Sequence, residues 1–210
     1  MATVYLSTAY LAPVQYYARL LAFDAAVVEA YENYRKQTYR NRCHIAGANG
    51  MLPLSIPVEK RPGGKCLTRD VRISEHGGWR RRHWQALVSA YGSSPFFDYY
   101  RDDFAPFYER RYAFLLDFNE ALRETVCTLL DVRPAVRLST RYEACVGNDF
   151  RESIRPAGDA GTFRPQRYGQ VFENRYGFMP DLSVADLLFN MGPEAIIIIQ
   201  NSGFKESKIP

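Results

Sequence analysis

Residues 1–30, MATVYLSTAYLAPVQYYARLLAFDAAVVEA, decide the fold class. Val4 to Ser7 reads as a short strand. Pro13 falls where a first helical turn accepts a residue without an N–H, and it predicts a helix running to about Phe23. Ala26 to Ala30 reads as a second strand. A β-loop-α-β opening of this kind predicts an α/β protein.

Outward from that opening, a strand pair is predicted near Cys43 to Ala46 and Leu52 to Val58, turned by Asn49-Gly50. Lys60 to Lys65 reads as a loop and Asp70 to Ser74 as a further strand. From Gly78 the period becomes helical: Trp79, His83, Leu87 and Ala90 share one face, with Arg81 and Gln85 opposite. Ser94-Pro95 opens a short aromatic helix. Leu115, Phe118, Leu122, Val126 and Leu129 form an amphipathic stripe, with Asp117, Glu120, Arg123 and Glu124 facing water. Val136 to Ser139 suits a strand, and Gly147 to Arg167 is a long polar stretch of the kind that is either functional or poorly ordered. Near the end, Ser183 and Asp186 have the spacing of a capping box, and Gly192-Pro193 stops that helix. The isoleucines 196–199 favour a strand by propensity, or extend a helical terminus. The expected architecture is one α/β domain over residues 1–200, with a loose tail at 201–210. Its mixed sheet, drawn from the N-terminal half, is covered by helices near 14–23, 79–91 and 113–130.

The chain has 210 residues, 47% hydrophobic and 24% charged, enough to bury a core without disulfide or metal staples. Its longest aliphatic run, Ala195 to Ile199, is far short of the roughly 20 residues that span a bilayer. Four cysteines without a CxxC, and no N-x-S/T acceptor, fit a reduced cytoplasmic setting. The net charge of +4 is unevenly spread: residues 1–92 carry 13 basic and 6 acidic side chains, and residues 93–210 carry 14 and 17. An anionic ligand is therefore sought in the first half. Of the basic residues 22 are Arg, the better bidentate partner for carboxylate or phosphate, although codon usage explains the bias equally.

Three histidines without HxxxH or HExxH spacing predict no metal site. A serine hydrolase lacks its G-x-S-x-G elbow, Gly63-Gly64-Lys65 is no P-loop, and no cofactor is assigned. Cys43 reads as a buried thiol, Asp186 as a reciprocal cap, and Asn190 as either a backbone cap or an amide offered to a ligand. His83 reads as a core histidine or as a general base.

Four stretches, in order, resemble the WbqC-like protein family: Tyr10-Leu11-Ala12-Pro13 with Tyr17; Tyr34-Arg35-Lys36 and Tyr39-Arg40-Asn41-Arg42 through Ser55-Ile56-Pro57-Val58; Trp79 to His83 with Tyr91 and Pro95-Phe96-Phe97; and Leu182 to Glu194. The chain looks like the short branch of that family seen in Bacteroidetes. It departs from longer members in having Ser7-Thr8-Ala9 where they often carry His-Gln-Pro, so no role of that histidine transfers here. The resemblance implies a place in surface-polysaccharide (O-antigen) biosynthesis, where a glycine or similar aminoacyl transfer has been proposed for some members.

Three classes remain open. A transferase would have His83 as the base, with Lys36, Arg40, Asn41 and Arg42 holding the phosphate of a small or sugar-linked anionic substrate between Tyr17 and Tyr39, and Asn190 as a further contact. A non-catalytic binding or scaffolding module would have the anion site alone. An RNA binder is the least favoured, because Arg80-Arg81-Arg82 cannot share one helix face. Nothing in the sequence bears on oligomeric state.

Overall fold

A computed structural model of the chain describes residues 1–59, 65–156 and 163–204. The predicted loop at Lys60–Lys65 lies, except for Lys65, outside these residues, as do 157–162 of the polar stretch and 205–210 of the tail. The elements in order are β1 (Thr3–Ser7), α1 (Val14–Leu21), β2 (Ala25–Glu29), the hairpin β3 (Arg42–Gly47) and β4 (Gly50–Ser55), α2 (Trp79–Tyr91), α3 (Phe97–Glu109), α4 (Leu115–Leu129), β5 (Val136–Leu138), β6 (Phe163–Arg164), α5 (Glu173–Tyr176), α6 (Val184–Met191), α7 (Ala195–Asn201) and β7 (Gly203–Phe204). Among the described residues no helix is long and apolar enough to cross a membrane.

The chain is α/β. β1 and β2 pair in parallel from Thr3↔Ala25 to Ser7↔Glu29, joined through α1, as the opening predicts. β5 adds in parallel beside β2, giving the order β1-β2-β5. The antiparallel strands form separate pairs, β3-β4 and β6-β7. Ala26, Val27, Val28 and Glu29 of β2 are all buried, as a central parallel strand covered on both faces requires. The hairpin turns through Ala48 and Asn49, and Gly50 takes the left-handed φ of 98° that favours glycine.

α2 spans the predicted residues and buries the predicted face: Trp79, His83, Leu87, Ala90 and Tyr91. The α4 stripe is likewise inward, but Glu120 and Arg123 do not face water. They pair at 2.8 Å with side chains only 15% and 10% exposed. Phe189 of α6 centres the aromatic core, its ring 5.2, 5.0 and 5.2 Å from those of Tyr91, Phe97 and Phe104.

Two further expectations are corrected, and one left open is decided. Asp70 to Ser74 forms no strand: Thr68–Asp70 is a 3-10 turn, and Arg72 and Ile73 make one isolated bridge each, to Phe114 and Val58. Of the two readings open for the isoleucines the helical one holds: they lie in α7, where Ala195 and Ile199 are buried four residues apart on one face, so packing overrides β-branched propensity. Asp186 does not reciprocate the Ser183 cap. Ser183 Oγ accepts from Ala185 N, while the Asp186 carboxylate accepts from Tyr91 OH and Tyr168 OH, both at 2.8 Å, inside the core. Within the segment expected as tail, Gly203 and Phe204 pair with β6.

Candidate functional site

In open α/β sheets ligands gather outside the carboxyl ends of the parallel strands. Here that edge carries a buried charge network. Glu29, the last residue of β2 and 1% exposed, accepts from Ser139 Oγ (2.6 Å), Arg151 Nη1 (2.8 Å) and Tyr31 N (2.8 Å). Arg151 is held on its other side by Asp149. Beside it, Arg40 binds Glu32 in a bidentate fork at 2.7 and 2.6 Å and reaches Ser7 Oγ at 2.7 Å and Glu152 at 3.3 Å. Burial works against the Arg40 charge, but the Glu32 and Glu152 carboxylates outweigh it and hold the guanidinium above its ordinary pKa. These pairs close the strand ends with their charges already matched.

Two openings flank the network. On the β1 side Ser7, Thr8, Tyr16, Tyr39, Arg40 and Arg151 line a crevice of about 10 Å³, room for one water. On the β2–β5 side is a cleft of about 400 Å³ lined by Ala30, Tyr31, Arg69, Phe114, Asp117 and Ser139, within the range of small-ligand sites. Arg69 lies over the Tyr31 ring, 4.9 Å from its centroid, and bonds the Tyr31 hydroxyl; its side chain is 48% exposed. The exposed Asp117 carboxylate, in the first turn of α4, has no partner among the described residues. The cleft thus joins a half-exposed guanidinium that pairs with Asp70 at 3.7 Å, two aromatic rings and the Asp117 carboxylate. None of these was singled out as a ligand contact from sequence, because they come from three separate segments. Only the strand-end rule, once β5 is placed beside β2, points to them.

The residues expected at an anion site do not form one. Tyr39 and Arg40 reach the crevice, but the Arg40 charge is committed to Glu32. Tyr17 is 2% exposed and packs on Tyr16 in the core, so its ring offers no stacking wall. Arg42 Nε donates across the hairpin to Ser55 Oγ at 2.8 Å, and Asn41 Nδ2 donates to the Ile56 carbonyl at 2.9 Å. Lys36 is exposed and stands apart from both openings.

His83 is 5% exposed and lines none of the described clefts. Its Nδ1 shares a proton with Tyr10 OH at 2.9 Å, and Tyr10 OH in turn meets Tyr108 OH at 2.9 Å. Burial, reinforced by Arg82, lowers its pKa to about 4 against the pull of the Ser55 carbonyl, so the ring is neutral at pH 7. The arrangement is that of a satisfied core histidine, not of a base with access to substrate. His83→Gln is expected to lose about 1–3 kcal/mol in chemical denaturation, by leaving the two tyrosine hydroxyls under-paired, while ligand binding at the strand ends stays unchanged. Asn190 lies elsewhere, on a separate cleft. Among the described residues no group of three His, Cys, Asp or Glu is placed to hold a metal.

These features define an α/β protein with a ligand-sized cleft at the carboxyl edge of a short parallel sheet. Residues 8–154 match the WbqC-like protein family, and the chain belongs to it. It is similar to an uncharacterized protein of Mycobacterium tuberculosis, Rv1507c, with 27% identity over 214 residues, covering 87% of this chain and 91% of that protein. No solved structure matches.

Proposed function

We propose that the chain is an acyl or aminoacyl transferase of surface-polysaccharide (O-antigen) biosynthesis, with a phosphate-bearing or nucleotide-linked donor seated in the cleft at the ends of β2 and β5. The observation that carries this reading is the Arg69 guanidinium, spread on Tyr31 and half exposed to a cleft of about 400 Å³, with Nε 3.7 Å from Asp70 and its outer edge turned to solvent. A planar guanidinium matches phosphate oxygens two at a time, and Tyr31 and Phe114 supply flat faces for a base or sugar ring. Asp117 is the group that would take the proton from an attacking hydroxyl or amine. Ser139, committed to Glu29, holds the floor.

The second reading, a non-catalytic module binding the same ligand, is favoured by the burial of His83, which leaves the cleft without a histidine. Calorimetric titration with UDP and UDP-N-acetylglucosamine tests the site. Arg69→Ala is expected to weaken binding about 10- to 100-fold, the range for losing a charge-assisted hydrogen bond, with little change in melting temperature. Equal affinity of the variant and the parent protein removes the cleft from consideration. Asp117→Asn then separates the readings: a variant that binds but fails to restore polysaccharide modification in cells lacking the gene supports transfer, and full restoration supports the binding module.

A further inference from the structure

A second cleft, sharing no residue with the first, has different chemistry. It measures about 430 Å³ and lies between the start of α3 and the turn that carries α5. Its polar lining includes Ser93, Asn174, Asn190, Gln170 and Glu173, and its apolar lining Pro95, Val171 and Met191. Glu173, the one charged residue in the lining, is matched by Arg167 at 2.5 and 2.9 Å. No cation lines the cleft. An anion would find nothing to neutralise it.

What the cleft does offer is amide and hydroxyl groups at an apolar wall. Asn190 is 8% exposed, and its Nδ2 donates back to the Asp186 carbonyl at 2.8 Å. Its Oδ1 has no partner among the described residues, although the side chain is more than nine-tenths buried and lines the opening. The Asn174 amide and Ser93 hydroxyl are exposed and likewise make no hydrogen bond among the described residues. Gln170, by contrast, is spent: it accepts from Met179 N at 2.8 Å and donates to Met179 O at 2.9 Å, which fixes that wall.

The walls are set before any ligand arrives. Phe96 N donates to Phe189 O at 3.0 Å, tying the α3 side to α6. Gly192 takes φ 55°, and a Cβ there would fall within the Phe96 ring, so only glycine lets the two sides close. The buried Asp186 carboxylate pins Tyr91, Tyr168 and Gln170 together behind the cleft. Asp186 is thus a positioning residue for this wall, which accounts for its place in the Leu182–Glu194 stretch better than a helix cap does. Preorganised polar groups keep more of their hydrogen-bond energy as affinity.

We propose that this cleft binds an uncharged sugar ring, with Asn190 Oδ1 accepting from one hydroxyl and the Asn174 amide bonding its neighbour, while Pro95, Val171 and Met191 take the ring's C–H face. Asn190 Oδ1 offers an acceptor and the Asn174 amide both a donor and an acceptor, which suits neighbouring hydroxyls, and a surface with no free charge selects against phosphates and uronic acids. The inference does not depend on the Arg69 cleft.

Saturation-transfer NMR and calorimetry on the full chain, with the methyl glycosides of glucose, N-acetylglucosamine and rhamnose as probes, test it. At least one is expected to bind with a dissociation constant on the order of 1 mM, tenfold or more weaker in Asn190→Ala and several-fold weaker in Asn174→Ala. Asn174→Ala leaves the melting temperature unchanged, since its side chain holds nothing in the fold, so the test stands even if Asn190→Ala unfolds. Arg69→Ala should bind the glycosides as the parent does. The proposal is overturned if none of the three glycosides binds, if both asparagine variants bind as the parent does, or if a neutral blocked asparagine peptide binds there instead.

Discussion

Arg40→Ala is expected to cost on the order of 3–5 kcal/mol of stability, read as a lower denaturation midpoint, the usual consequence of orphaning one member of a buried ion pair. Arg40 is 3% exposed and Glu32 6%, and the guanidinium supplies both strong bonds to that carboxylate. Once it is gone, Glu32 keeps only Ser7 Oγ at 3.3 Å among the bonds it makes here, in a setting that hydrates it poorly. Replacing both partners, as Arg40→Leu with Glu32→Leu, is expected to recover most of the loss, because no charge is then left buried. The result also separates two uses of Arg40. A cation held ready for a substrate phosphate would be removable without unfolding the protein; a cation that neutralises Glu32 would not. A single variant as stable as the parent would show that the pair holds nothing together.

The misplacement of the anion site follows from what a run of sequence contains. Three cations within seven residues read as a basic patch because the acids that neutralise the central one, Arg40, are elsewhere. Glu32 lies eight residues upstream of Arg40, and Glu152 arrives from a distant loop. The register separates the group further: Arg40 turns inward just before β3, while Arg42 begins that strand and reaches across to β4. His83 was different. Its face, shared with Trp79, Leu87 and Ala90, is legible at helical spacing and implies burial, but a base on a rigid helix shows the same pattern, so local sequence leaves both readings open. Asp186 was hidden for the opposite reason, since its spacing from Ser183 is that of a cap, and its real partners, Tyr91 and Tyr168, belong to other parts of the chain.

The fold divides in the same way. β1, α1 and β2 could be read because each is local and the crossover between them is short. α2 and the α4 stripe could be read because their apolar residues recur at helical period over several turns. The neighbour of β2 could not, because β5 is three residues long and lies more than a hundred positions downstream. Val71 and Ile73 alternate as a strand does and are both buried, yet each segment beside them offers a single bridge, so no ladder forms. Without β5 in place the strand-end cleft has no second wall, which is why Arg69, Tyr31 and Asp117 carried no signal beforehand.

Asp181→Asn is expected to stabilise the protein by on the order of 2–4 kcal/mol at pH 8 and by almost nothing at pH 4, at about 1.4 kcal/mol for each unit of pKa shift. Asp181 sits in the left-handed region at φ 56°, which Asn also tolerates. Its carboxylate accepts from Gln15 N at 2.9 Å, capping α1, and bonds the Gln15 side-chain amide as well. Burial nevertheless dominates these bonds and pushes the carboxyl up to about 7. Between the unfolded value near 4 and this folded value the native chain holds the extra proton, so stability falls as pH rises through the window. Neighbouring groups act in the same range. Tyr39 faces Asp181 and stays neutral, while His44, packed on Tyr39, and His83 both have pKa values lowered mainly by burial. Those histidines give the opposite slope, stability gained as pH rises toward 6.5, so the parent's profile alone is a sum of opposing slopes. The difference between Asp181→Asn and the parent isolates the carboxyl, because the histidine contributions are common to both. Asn keeps an oxygen for Gln15 N, and the Gln15 amide can turn to present its own oxygen to the new NH₂ group. Urea denaturation at intervals from pH 4 to pH 8 should therefore give two curves that meet at the acid end and diverge through pH 7. Parallel curves would mean that Asp181 ionises in the folded chain as it does in the unfolded one.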